Sequence, residues 1–268
     1  MVNLEMLEKL YFCNSLNVPY KLKKGGEIEI KPIKVKDYPI YEIASEILTY
    51  NKNESTNIEI LQMSYLEFLV KYIFTMENGD EKIQDLIWLA KNCLGYDYIS
   101  IEVDKNKPVI TLCKEDGTIE KIINRKEFDD IKKIILNQNN PKYDNRYISP
   151  DVREMLNEYI KVQYKDGYIP TLEQRKAFVS SKTGRTFAEL NELPYREFDL
   201  VYDANVNSEI YIAQKIIQGS YKYEVKEDIK HPLFSKPHDI YSELFKDTSV
   251  LSGKGISGAE QLNMINNN

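Results

Sequence analysis

The chain has 268 residues, 42% of them apolar, which is enough for one large core or two modest ones and too apolar for a disordered protein. Its formal net charge of −6 and pI near 5.3 supply no overall basic field to draw it to nucleic acid or anionic membrane. No apolar run approaches the roughly 18 residues of a membrane span, and Met1-Val2-Asn3-Leu4-Glu5 lacks the basic-then-apolar plan of a secretory leader, so an unanchored cytosolic protein is expected.

Leu4 to Phe12 is a short apolar-rich segment, a helix or a packed arm. Strict alternation in Tyr20-Lys21-Leu22-Lys23 and Glu27-Ile28-Glu29-Ile30-Lys31, across Lys24-Gly25-Gly26, predicts a β-hairpin burying Tyr20, Leu22, Ile28 and Ile30. Lys21, Lys23, Lys24, Lys31, Lys34 and Lys36 form the local basic cluster, which Glu27 and Glu29 are placed to balance across the strands. Asp37 is positioned to cap a helix with Ile40, Ile43, Ala44, Ile47 and Leu48 as its inward stripe. After the polar loop Asn51 to Asn57, Ser64 and Glu67 have capping-box spacing, with Met63 stapled on Phe68. Glu77-Asn78-Gly79 then turns the chain into a helix capped by Asp80 and closed by Gly95.

Past Gly95 the period becomes alternating. Ile99 to Val103, Val109 to Cys113 and Thr118 to Ile122 read as an antiparallel meander. Asn124 and Glu127 have the spacing of a second capping box, ahead of a helix with Phe128, Ile131, Ile134 and Ile135 inward. The polar span Asn137 to Pro150 is the expected domain boundary. Ser149 is placed to cap a helix through Val152, Met155, Leu156 and Tyr159, and Thr171 to cap another with Phe178 and Val179 inward.

Leu193-Pro194-Tyr195-Arg196-Glu197-Phe198-Asp199-Leu200-Val201-Tyr202 lies without gaps over Met63 to Tyr72, sharing Tyr, Glu, Phe and Tyr at matched positions. By analogy Asn205-Val206-Asn207 is a turn and Ser208 caps a final helix closed by Gly219, which makes two αα-hairpins. The fold class expected is therefore α+β, predominantly helical, with an N-terminal hairpin and a small meander. Residues 1–145 form an α+β domain, 146–235 a helical domain and 236–268 a mostly flexible tail, with Glu260 to Ile265 as a short docking segment.

Chemistry is sparse. His231 and His238 stand beside prolines and Asp239, too few for a metal site without two more converging ligands. Ser252-Gly253-Lys254-Gly255 lacks the leading glycine and trailing hydroxyl of a phosphate loop. Asp129, Asp130 and Asp228 have no evident partners, and Cys13, Cys93 and Cys113, in no ligand spacing, read as buried free thiols of a reducing compartment. No catalytic, cofactor or metal residue is assigned. The 20 tyrosines suit cores and protein interfaces, where a ring buries area while its hydroxyl stays wet.

Val18-Pro19-Tyr20 through Glu27-Ile28-Glu29-Ile30-Lys31-Pro32-Ile33, followed by a helix, resembles tail morphogenesis proteins of tailed bacteriophages, namely tail assembly chaperones and baseplate-hub assembly proteins. So does Phe187-Ala188-Glu189-Leu190 ahead of Leu193-Pro194-Tyr195-Arg196-Glu197-Phe198. The resemblance implies a non-enzymatic factor without cofactor, in the host cytoplasm or the virion, whose partners are tail, tape-measure or baseplate-hub proteins. Tyr195, Tyr202, Tyr211 and Tyr221 are the aromatic anchors expected to make the contact. Two alternatives stand beside it: a nucleic-acid-binding or processing protein using the lysine cluster, and a small-molecule enzyme whose site forms only in three dimensions.

Overall fold

The computed structural model describes residues 2–24, 26–52, 55, 57–104, 107–114, 116–140, 143, 155 and 170–220. The fold is α+β, with more helix than strand and two small antiparallel sheets. The chain divides into two units, Met1–Asn205 and Val206–Asn268.

In the first unit, α1 (Leu4–Leu10) starts where the Asn3 side chain accepts from the Met6 amide. β1 (Val18–Lys21) and β2 (Glu27–Ile30) form the expected hairpin, Val18 opposite Ile30 and Tyr20 opposite Ile28. Leu22, Ile28 and Ile30 are buried, while Tyr20 is half-buried and donates its hydroxyl to Asp130 at 3.2 Å.

α2 (Tyr38–Ala44) corrects the expected stripe. Ile40 and Ile43 are 53% and 61% exposed, and the buried residues are Tyr41, Ala44, Ile47 and Leu48. The helix tightens into a 3-10 turn at Ser45–Leu48, so positions three apart share the inner face. The Tyr41 hydroxyl fixes that phase by donating to the Ile135 carbonyl at 3.3 Å. Asp37 makes no side-chain cap; a 3-10 turn at Val35–Asp37 leads into the helix, and Pro39 in its first turn lacks the N–H that would need one.

α3 (Ile58–Gln62) precedes α4 (Tyr65–Phe68), which opens on the predicted capping box: the Ser64 amide donates to Glu67 at 2.8 Å and the Glu67 amide to the Ser64 hydroxyl at 3.3 Å. The helix widens into a π turn at Leu69–Ile73, and α5 (Gly79–Leu89) packs against α2 before a second π turn at Ala90–Leu94. Asp80 lies in the first turn of α5 and Asn78 at its cap position. Gly79 is required there, since a Cβ would sit 2.2 Å from the Phe74 carbonyl oxygen.

β3 (Tyr98–Asp104), β4 (Lys107–Cys113) and β5 (Ile119–Ile123) form the meander in the order β3-β4-β5, with β4 central and buried from Pro108 onward. α6 (Arg125–Asn139) carries the Asn124/Glu127 capping box and turns Phe128, Ile131, Ile134 and Ile135 into the main core. Its end is polar yet buried: Asn139 accepts from the Ile33 amide at 2.7 Å and donates to the Ile135 carbonyl at 2.9 Å.

α7 (Leu172–Thr183) and α8 (Phe187–Glu192) open on the boxes Thr171/Gln174 and Thr186/Glu189. α9 (Tyr195–Gln218) is a single 24-residue helix and replaces the expected second αα-hairpin. Asn205-Val206-Asn207 contains no residue that must break a helix, and Asn205 donates back to the Val201 carbonyl at 2.7 Å. The counterpart of Gly79 is missing.

Residues 170–205 pack with the N-terminal elements, which corrects a boundary at 145/146. Lys34 and Pro194 form an antiparallel bridge, the Tyr195 amide donates to the Ile33 carbonyl at 2.7 Å, and the Val35 amide donates to the Leu193 carbonyl at 2.9 Å. Those two hydrogen bonds, which make the bridge, seat α8 and the start of α9 on the segment that leaves β2. The helix predicted after Ser149 falls outside the described residues, apart from the helical and exposed Met155. Outside them too lie Tyr221, Asp228, His231, His238, Ser252 to Gly255 and the whole 236–268 segment. Among the described residues no helix is long and apolar enough to cross a membrane.

Candidate functional site

Two of the four proposed anchors turn out to build a core. Tyr195 is 5% exposed in a small cluster with Val35, Val179, Leu190 and Phe198, and its ring stacks on Tyr38 with centroids 3.3 Å apart and planes 7° from parallel. Burial raises the pKa of its hydroxyl, while hydrogen bonding with Tyr38 and then the bond from Arg175 Nη1, at 3.0 Å, work against it. Tyr202 is half-buried edge-on against Phe178, under the Arg175 guanidinium 4.7 Å from its ring centroid. Neither ring is free to enter a partner's pocket, because each already fills one in its own unit.

Arg175 organises this region and local sequence reasoning missed it. It bonds Tyr195 and Asp199, and lies over the rings of Phe198 and Tyr202. Burial lowers its pKa and the two partners more than restore it, so the guanidinium stays charged. The signal was Asp199, an acid beside the apolar stripe of Phe198 and Tyr202, since a buried carboxylate demands a cation. Arg196 makes a second tie, donating to the Asn137 carbonyl at 2.8 Å and to Glu8.

Three of the six lysines in the cluster are ion-paired, with acids other than those expected. Lys34 and Lys36 both reach Glu192, at 2.6 and 2.7 Å, and Lys24 reaches Asp104 at 2.6 Å. The two lysines hold the Glu192 carboxyl down at about 2. Cys93 and Cys113 are buried as expected, but Cys13 is exposed and donates to Glu8 at 3.2 Å. Among the described residues no group of three His, Cys, Asp or Glu side chains converges as metal ligands would.

In the second unit, residues 206–218 show a different pattern. Val206, Ile210, Ala213 and Ile217 recur at helical spacing, Ile212 and Ile216 lie about a quarter turn or more round to one side with Glu209 between, and Asn207, Ser208, Gln214 and Lys215 take the other side. Burial would be the ordinary fate of such a stripe. Instead Ile210, Ile212, Ile216 and Ile217 are 49%, 48%, 69% and 48% exposed. Tyr211, the third proposed anchor, is half-buried with Lys215 Nζ 5.7 Å from its ring centroid, and Tyr221 lies beyond the described residues.

Four exposed isoleucines within two helical turns present apolar surface on the order of a few hundred Å², the scale at which a patch marks a contact site. Chemically the face can exclude water against another apolar face and offers no group for bond making or breaking. Comparison with protein-family models, with curated proteins and with solved structures finds no match for this chain.

Proposed function

We propose that the protein is a non-enzymatic assembly factor of a bacteriophage tail or baseplate hub, acting in the cytoplasm of the infected bacterium. In this reading the isoleucine face of residues 206–218 holds an apolar-faced helix of a tape-measure or hub protein, shielding it until assembly. The observation that carries it is the exposure of Ile210, Ile212, Ile216 and Ile217 on one helix. Support for the setting comes from the likeness of Val18 to Ile33 and Phe187 to Phe198 to tail morphogenesis proteins. The surface pairing of Lys34 and Lys36 with Glu192 argues against the nucleic-acid alternative, since lysines already paired with a carboxylate add less to counterion release from a phosphate backbone.

The test is affinity purification of the tagged protein from infected cells, beside a variant carrying Ile210→Asp and Ile217→Asp. Both changes lie on exposed positions, so helicity by circular dichroism stays at the parent level. The parent protein is expected to recover a tail, tape-measure or hub protein, and the variant at least tenfold less. Equal recovery by both, or recovery of no tail component by the parent, defeats the proposal.

A further inference from the structure

A second surface lies in the first unit, at the edge of the hairpin. Among the described residues β2 pairs with β1 alone. The register sets Tyr20 against Ile28 and Val18 against Ile30, and the Leu22 amide donates to the Gly26 carbonyl at 3.1 Å. In an antiparallel pair hydrogen-bonded and non-bonded positions alternate, so residues 26, 28 and 30 face β1 and residues 27, 29 and 31 turn their backbone groups away. Lys31 bears this out by sending its amide outward to the Cys93 carbonyl at 2.7 Å. Glu27 and Glu29 present their N–H and C=O groups to the same outer side.

That side is a groove of about 680 Å³, open to solvent. One wall is β2; the other is the stretch Leu94 to Asp97 with the end of β4 and the turn into β5. Its floor is apolar, with Leu94 and Cys113 at 9% and 8% exposure and Tyr96 beside them. Its rim is acidic: Glu27, Glu29, Asp97, Asp116 and Glu120 against Lys31 and Lys114. Asp97 is neutralised by Lys91 at 2.9 Å, which leaves the excess on β2 and on the β4–β5 side.

We propose that this groove binds an extended segment of a partner protein, bearing lysine or arginine at alternate positions, by strand addition to β2. The Glu27 and Glu29 backbone groups supply the ladder, and the bond from Lys31 to Cys93 ends it, so the added strand is short. Alternate side chains of the segment meet the acidic rim and the ones between rest on Tyr96 and Leu94. The surface is separate from the isoleucine face of residues 206–218, and its test stands or falls without that reading.

The probe is a capped, fluorescein-labelled peptide of alternating lysine and threonine, titrated into the full-length protein at low and moderate salt and followed by fluorescence polarisation. Three comparisons decide it: the same peptide N-methylated at every backbone amide, the same peptide with glutamate for lysine, and the protein variant Glu29→Pro. Proline at residue 29 deletes an outward N–H and fills the docking path while leaving the β1 ladder whole, as edge strands tolerate. Saturable binding is expected, weakened at least tenfold by N-methylation, by charge reversal and by Glu29→Pro, with an unchanged melting curve for the variant. Equal binding of the methylated peptide reduces the groove to a charged surface and overturns strand addition. Absence of binding overturns it too, and makes the charged, four-residue edge a guard against pairing. Where Glu29→Pro lowers the melting temperature, the methylated peptide titrated into the parent protein decides the matter by itself.

Discussion

Lys132→Met is expected to stabilise the protein at neutral pH and to lose that advantage in mild alkali. Lys132 lies on α6 beside a small internal cavity of about 20 Å³ shared with Leu48, Leu86, Leu89 and Phe128, its Nζ 3.2 Å from the Tyr65 ring centroid. Burial pushes its ammonium from the usual 10.5 down to about 8, with Asp129 pulling the other way. At ~1.4 kcal/mol per pH unit the displacement is worth about 3 kcal/mol, an upper bound because the side chain keeps some access to water. The cation–π contact with Tyr65 returns about 1–2 kcal/mol of it. Methionine fills the same volume, suits a helix equally and needs no hydration, which leaves a net gain of about 1–2 kcal/mol at pH 7.

The sign of the pH effect follows from proton counting. Below pH 8 both native and unfolded chains hold the Lys132 proton and the burial cost is fully present. Between about 8 and 10.5 the native chain releases it first, so the parent protein gains stability relative to the variant as pH rises. Urea unfolding at pH 7 and pH 9.5 measures the gap, which should close by roughly 2 kcal/mol. Cys93 and the buried tyrosines titrate alike in both proteins and cancel. A variant less stable than its parent at pH 7, or a gap that ignores pH, refutes the argument.

Asn139→Ala strands the buried Ile33 amide and should cost about 2–3 kcal/mol in urea unfolding; a loss under 1 kcal/mol, on the order of a surface change, would show that the bond is dispensable. Phe198→Ala, at a side chain with no exposure, should cost about 3–5 kcal/mol, and an unchanged midpoint would mean that the small cluster around Tyr195 is not part of the cooperative fold. One thiol, Cys13, should react with a thiol reagent in the native state and all three in denaturant. Because the hydrogen bond to Glu8, then burial, raises the Cys13 pKa, Glu8→Gln should speed alkylation at pH 7.5 severalfold; a slower rate would contradict that assignment.

What the sequence revealed was local. The Ser64/Glu67 and Asn124/Glu127 boxes join residues three apart, and the meander's alternation needs only its own strands, so both were legible. What it hid was set at a distance. The phase of α2 depends on the Ile135 carbonyl, 94 residues from Tyr41. The fate of Tyr195 depends on Tyr38 and Arg175, and the balance of Lys34 and Lys36 on Glu192. The likeness of Met63 to Tyr72 and Leu193 to Tyr202 extends to a short helix, two extended residues and a tyrosine opening the next helix. It ends where one copy breaks at the turn before Gly79 and starts α5, and the other runs on as α9. That uninterrupted run exposes the isoleucines, so the candidate site lies where the analogy between the copies fails.

The claim that residues 206–218 are the contact surface is tested most directly by amide hydrogen exchange. Full-length protein is compared alone and saturated with the tail, tape-measure or hub protein recovered from infected cells. Exchange should slow severalfold across Val206 to Gln218 on binding, with the β4 amides, already buried in the core, unchanged. Bound partner with no added protection in Val206 to Gln218 would place the contact elsewhere and contradict the account.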